Sequence, residues 1–259
     1  MRVVNSLVER GFAVVSLLAN EAAAMRLGEI AEQLGLQKSA AHRMLKVLCE
    51  IGWVEQEQVT GFYKLSLRLA ILGQRFLSAT HLTDVCQPVL EELAAASAEL
   101  VRMAVIQGET LTWIAQVQGA KSGLKYQPEM VAKVRLGSTA NGKAYLSKLP
   151  PKHALRIVIK SADDGQDETI SSVEDFIKEL KLTRKRGWAI CDGQTEPGVV
   201  AIAAPITLIG GPAVGTVSVA GPSSRLTEEQ HGSVASSVLA AAAKLGELWP
   251  VRQSCTKAS

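Results

Sequence analysis

The sequence predicts an α+β protein of two domains, and three observations carry that prediction. Its 259 residues, 47% hydrophobic and 20% charged, have the length of two ordinary domains and the composition of a globular chain. Residues up to about 66 show helix-period apolar patterns followed by two very short strand-like runs. From Leu100 onward, strand patterns and helical patterns fall in separate blocks, as in an open sheet with helices gathered against it. The expected boundaries are 1–66 for the first domain, 67–79 for a linker helix, 80–250 for the second domain and 251–259 for a disordered tail.

The first element, Phe12 to Ala19, is apolar apart from Ser16 and precedes Ala22-Ala23-Ala24, which imitates an export signal. Glu9 interrupts its leading charge, and Leu7, Phe12, Val15 and Leu18 or Ala19 fit a helix with one buried face instead. Leu27, Ile30, Ala31 and Leu34 then line a second helix, which Gly35 breaks. Ala41, Met44 or Leu45, and Leu48 line a third. That third helix leaves Lys38, Ser39, Ala40, His42, Arg43 and Lys46 outward, a cationic, hydrogen-bonding face suited to a DNA major groove. Helix pairs with a glycine between them also occur in folds that never touch DNA. The residues beyond the third helix favour the DNA-binding kind. Gly52-Trp53-Val54-Glu55 and Gly61-Phe62-Tyr63-Lys64-Leu65 make two short strands around a turn, the wing of a winged helix-turn-helix. Residues 1–75 hold nine Lys/Arg against seven Asp/Glu, so the basic character is local to the third helix and the wing.

Residues 66–79 read as a helix too apolar for a free linker, so Leu67 to Leu77 is expected to pack against a partner chain, with Trp53 or Phe62 nearby. Asp84 to Ser97 is helical, with Pro88 placed in its first turn. Val101–Ile106 and Thr110–Val117 flank Gly108-Glu109 as a hairpin, and Leu124–Tyr126 is a candidate third strand. Helices are expected over 138–149, 152–160 and 173–186, and strands over 188–191, 199–206 and 213–220. A last helix starts after Thr227, with Glu228-Glu229-Gln230 behind it, and runs to about Trp249. A net charge of +3 permits nucleic-acid binding without requiring it. Cys49, Cys86, Cys191 and Cys255 lack metal-ligand spacing and read as reduced thiols of a cytoplasmic protein; no metal site and no cofactor are expected. No run reaches the ~18 apolar residues of a membrane span.

One segment competes for a different function. Gly137-Ser-Thr-Ala-Asn-Gly142-Lys143-Ala144 is close to a nucleotide-binding phosphate loop, follows the strand-like run Val134–Leu136 and opens a helix. Asp192 would then pose as the metal-binding aspartate. Ala144, however, stands where a Ser or Thr hydroxyl must hold magnesium. No serine sits in a Gly-x-Ser-x-Gly elbow, and no catalytic residue is assigned. A nucleotide-binding protein or enzyme using Gly137–Ala144 is the alternative reading.

From about Asn5 to Trp249 the chain resembles the IclR family of bacterial transcription regulators. The resemblance rests on five separated motifs in order: Lys38-Ser39 with His42-Arg43; Gly61-Phe-Tyr63-Lys-Leu65 with Arg68-Leu69; Ser138-Thr-Ala-x-Gly142-Lys143-Ala144; Glu196-x-Gly198-Val199 with Ile202-Ala-Ala-Pro205; and Ser218-Val-Ala-Gly221-Pro222 with Arg225-Leu-Thr. It implies a winged-helix DNA-binding domain, a linker helix and a GAF-like effector-binding domain. It also implies double-stranded operator DNA as partner, and homodimers or homotetramers with no membrane association. Departures are present too. Cys191-Asp192-Gly193-Gln194 replaces a common acidic run, Ala201 a common cysteine and Ala220 a common serine, while Gln37 and Ala40 replace a usual proline and threonine.

The expected DNA contacts are Ser39, His42 and Arg43 on base edges or phosphates, with Ala40 on the same face, Lys38 and Lys46 on phosphates, and Lys64 on the backbone from the wing. The effector is expected against the sheet of residues 100–221, under the helix beginning at Ser138. Its expected contacts are Arg102, Ala104, Trp113, Tyr126, Thr139, Ala140, Asn141, Gly142, Ala201 and Ser218, with Asp192 and Glu196 near the rim. Arg102 adds a fixed charge if it points inward; the competing expectation is an outward, solvated arginine on an alternating strand. Ala201 and Ala220 widen the site while Trp113 and Tyr126 supply flat walls. This favours an organic acid larger than a two-carbon oxoacid, aryl acids included, and control of a catabolic operon.

Overall fold

A computed structural model describes residues 6–21, 23–128, 134–163 and 172–249, and the chain divides into two compact units, 1–79 and 80–259. The expected disordered tail, 251–259, lies outside the described residues.

The first unit opens with α1 (Leu7–Asn20), held at its start by a reciprocal Ser6–Glu9 capping box. Only Val14 and Leu18 of α1 are buried; Leu7 and Phe12, expected on its inner face, are exposed, Phe12 to 68%. The core contacts come from Val14, Val15, Leu17 and Leu18, so Val15 and Leu18 lie on the inner face as expected while the first turns of α1 turn Leu7 and Phe12 outward. α2 (Leu27–Gln33) ends at Gly35, whose φ of 62° takes the left-handed turn that a side chain resists. α3 (Lys38–Glu50) buries Ala41, Met44, Leu45 and Leu48. β1 (Val54–Gln56) and β2 (Tyr63–Leu65) form the antiparallel wing, and Tyr63 also bridges Met25 through paired backbone hydrogen bonds of 2.8 Å. α4 (Arg68–Thr80) follows directly, its first guanidinium lying over Trp53 and donating to the Ile51 carbonyl.

The second unit is built on a five-stranded antiparallel sheet ordered β4-β3-β7-β6-β5. Its strands are β3 (Leu100–Gln107), β4 (Thr110–Gln118), β5 (Ala189–Asp192), β6 (Val199–Thr207) and β7 (Ala213–Pro222). Alternation assigns the two faces. Val101, Met103, Val200, Ile202, Val217 and Val219 pack against α5 (Leu82–Ser97) and α9 (Glu228–Leu248). Arg102, Ala104, Ala201, Ala203, Ser218 and Ala220 face the other way. There α6 (Ala140–Leu146) lies on the sheet, with α7 (Pro151–Asp163) and α8 (Val173–Arg186) outside it.

Several local expectations change. Pro88 sits inside α5 rather than in its first turn. The helix expected over 138–149 is a short α6 of seven residues: Thr139 caps its start, and residues 147–149 leave the helix as turns ahead of Pro150 and Pro151, while Gly142 lets it lie close to the Leu136 backbone, where a Cβ would stand 2.2 Å from the carbonyl oxygen. Residues 124–126 form no strand. Their backbone is held by side chains, Gln118 Nε2 donating to the Tyr126 carbonyl at 3.0 Å and Arg225 Nη2 to that of Leu124 at 2.9 Å. Arg225 also grips the buried Glu99 carboxylate, so this segment is tied to the start of β3. No helix among the described residues is long and apolar enough to cross a membrane.

Candidate functional site

The outward face of α3 is arranged as its periodicity requires. Lys38, Ser39, His42, Arg43 and Lys46 are exposed and Ala40 half-buried, opposite the buried Ala41, Met44, Leu45 and Leu48. Lys64 is exposed on β2, but it faces Glu55 across the wing at 3.5 Å, so its charge is already partly answered.

In the second unit a cavity of about 460 Å³ opens between the sheet and α6. Its wall contains Arg102, Trp113, Tyr126, Thr139, Ala140, Asn141, Glu196, Ala201 and Ser218, nine of the positions expected at an effector site. Three expected positions stand elsewhere. Ala104 is fully buried among Leu111, Tyr145 and Leu146, beyond the end of the cavity. Gly142 is pressed against Leu136. Asp192 is exposed because β5 alternates, Ala189 and Cys191 pointing inward and Asp192 outward. Ala220, expected to widen the site, is in the wall as well, and Pro128, Val134, Arg135, Cys191, Thr195 and Val199 also line it without having been expected as contacts. Ala201 is the register partner of both Cys191 and Ala220, so all three share a face.

Arg102 is the unusual group. It is 8% exposed, its guanidinium carbon lies 3.7 Å from the centre of the Trp113 ring, and neither Nε nor Nη2 has a hydrogen-bond partner among the described residues. Burial pushes its pKa below the ordinary value. Tyr126 also lines the cavity near the exposed Glu196 carboxylate; burial first, then that neighbouring charge, push the phenol up to about 12. Thr139 caps α6 by accepting from the Gly142 N–H at 3.0 Å, and Asn141 donates to Thr216 at 3.0 Å behind the wall. Cys191 and Thr195 both donate to the Ser138 carbonyl, at 3.1 and 3.0 Å, pinning the loop after β5 to the start of α6.

The phosphate-loop alternative fails on this geometry. Val134–Leu136 is not a strand, and the Lys143 ammonium is buried against the Ile190 carbonyl and the Gln194 side chain rather than facing the cavity. Burial lowers its pKa.

Comparison with known proteins decides the class. The family model described as "Bacterial transcriptional regulator IclR C-terminal" matches residues 74–247, and "IclR helix-turn-helix domain" matches residues 7–58. The chain belongs to the IclR family. It is similar to the glycerol operon regulatory protein of Streptomyces griseus, 32% identical over 85% of each chain. Its fold is that of an IclR transcriptional regulator from Alicyclobacillus acidocaldarius, TM-score 0.80 at 20% identity, over 93% of this chain and 98% of that one. It is equally that of an IclR homologue from Microbacterium hydrocarbonoxydans complexed with 4-hydroxybenzoate, TM-score 0.76 at 19% identity, over 93% and 98%. As an IclR protein the chain is a DNA-binding transcription regulator and not an enzyme, with an N-terminal helix-turn-helix and a C-terminal α+β domain.

Proposed function

We propose that this regulator binds operator DNA as a symmetric dimer or tetramer in the cytoplasm and that a small organic acid, held in the cavity by Arg102, changes its affinity for that DNA. Lys38, Ser39, Ala40, His42, Arg43, Lys46 and Lys64 form the DNA-facing set in this reading. One recognition helix makes too small an interface alone, so two-fold pairing presents two helices about one DNA turn (~34 Å), or a multiple of it, apart. Support for pairing comes from Ile71 and Leu72 of α4 and the adjoining Leu67, each at least half exposed, and from the bare Leu7, Val8 and Phe12 of α1.

The observation that carries the effector is Arg102 itself. A buried guanidinium with unpartnered nitrogens is costly unless a ligand supplies acceptors, and its planar fork matches a carboxylate. The walls support an aryl or longer-chain acid. Trp113, Tyr126, Val134, Ala201 and Ala220 are flat or small and apolar, and the cavity exceeds what a two-carbon oxoacid fills. The 4-hydroxybenzoate in the Microbacterium homologue and the operon named for the Streptomyces relative are consistent with an organic acid and a catabolic operon. Thermal-shift screening tests this reading. Benzoate-type and longer-chain carboxylates should raise the melting temperature, since at a hundredfold excess over Kd a ligand that binds only the folded state adds about 2.7 kcal/mol. Stabilisation by glyoxylate or pyruvate alone, with aryl acids silent, contradicts it.

A further inference from the structure

We infer that Arg26, its guanidinium laid over the Phe62 ring at the root of the wing, grips a DNA phosphate beside α3; this rests on the reading of α3 as the DNA-facing helix. Helical periodicity does not single Arg26 out, because it stands before α2 and not on the outward face of α3. The fold brings it to that side. Met25 and Tyr63 exchange backbone hydrogen bonds of 2.8 Å in an antiparallel bridge, so residue 26 stands opposite residue 62. The Arg26 guanidinium carbon lies 5.0 Å from the centre of the Phe62 ring. The start of α2 also meets the start of α3: a Cβ on Gly28 would stand 3.8 Å from Cε of Lys38. Arg26 is two residues from that contact.

The charge at Arg26 is available. Its side chain is exposed, it forms no ion pair among the described residues, and Glu29, close in sequence, accepts from its backbone N–H at 2.8 Å. Residues 1–5 and 22, the part of this unit beyond the described set, include no Asp or Glu. The wing itself brings little positive charge. Residues 54–65 hold Glu55 and Glu57 against Lys64, Glu55 faces Lys64 at 3.5 Å, and Val59 at the tip is 93% exposed. A phosphate strand passing the wing is therefore answered from its root. Cation–π attraction holds the guanidinium on the ring face and leaves the in-plane N–H groups free. The long side chain is ordered before DNA arrives and presents two parallel donors, the fork that a phosphate takes. Such a contact fixes position without reading sequence.

DNA-binding titrations of the full chain between about 50 and 200 mM salt test this. They use fragments selected by the protein itself and random duplexes of equal length, in the wild type, Arg26→Ala, Arg26→Lys and Phe62→Leu. Arg26→Ala should weaken binding to both DNAs by the same factor, about tenfold, and flatten the dependence of log K on log salt by about 0.9 for each protomer bound. Arg26→Lys and Phe62→Leu keep the charge but lose the fork or its platform, so affinity should fall about threefold with the salt slope unchanged. The ratio of selected to random affinity should hold in all three variants, which a loosened fold would not allow. An unchanged slope in Arg26→Ala, an altered ratio, or full affinity in Phe62→Leu overturns this inference alone. A wild type whose DNA binding is indifferent to salt, or that shows no preference for the fragments it selected, overturns the DNA-facing reading of α3 and this inference with it.

Discussion

Arg102 places a cation in the interior without giving two of its nitrogens a partner among the described residues, and on the proposed reading the free protein bears that cost for the sake of a ligand. The expected consequence is a trade between stability and binding. Arg102→Met keeps an apolar stem over Trp113 and removes the buried charge, so the unliganded variant should be more stable by about 1 kcal/mol, some 2–4 °C in Tm, and blind to acids. A lower Tm without ligand would mean that the guanidinium is satisfied in solution. The sequence could not settle which way Arg102 points. The strand Leu100–Gln107 is covered on both faces, so its residues read as nearly continuously apolar and the inward-outward alternation is lost. Asp192 illustrates the opposite case, where alternation from Cys191 turns the nearer-looking carboxylate outward. The loop residues Pro128, Arg135 and Thr195 carry no periodicity at all, and only the folded chain brings them to the cavity.

At the scale of elements, long periodic segments were legible and short forced ones were not. α8 runs over Val173–Arg186 as its pattern requires, with Ser172 accepting from the Asp175 N–H at its start and Gly187, φ 86°, stopping it. α6 keeps only seven residues between its Thr139 cap and the turns before Pro150, and the segment around Leu124 is held by the side chains of Gln118 and Arg225 instead of a ladder. α4 shows an apolar face whose composition is plain in sequence but whose partner is not. On the proposed pairing, Leu72→Glu, at a position 52% exposed, should leave the monomer folded yet shift light scattering at micromolar concentration from dimer or tetramer to monomer. An unchanged oligomer in that variant places the interface elsewhere.

The chain carries a cationic, exposed helix face in its first unit and a cavity with a buried guanidinium in its second, and the proposed function gives these two different tasks. If the acid is the signal, its binding free energy must differ between the DNA-bound and free forms, and the coupling must be reciprocal. The direct measurement is DNA affinity at fixed salt, on fragments selected by the protein itself, with and without a saturating acid that raises the melting temperature in the thermal-shift screen, in the wild type and in Arg102→Gln. The acid should change wild-type DNA affinity by roughly 5- to 150-fold and leave Arg102→Gln, which retains DNA binding, unresponsive. Wild-type DNA affinity indifferent to an acid that the protein binds, or an Arg102→Gln variant that responds like the wild type, would contradict the account.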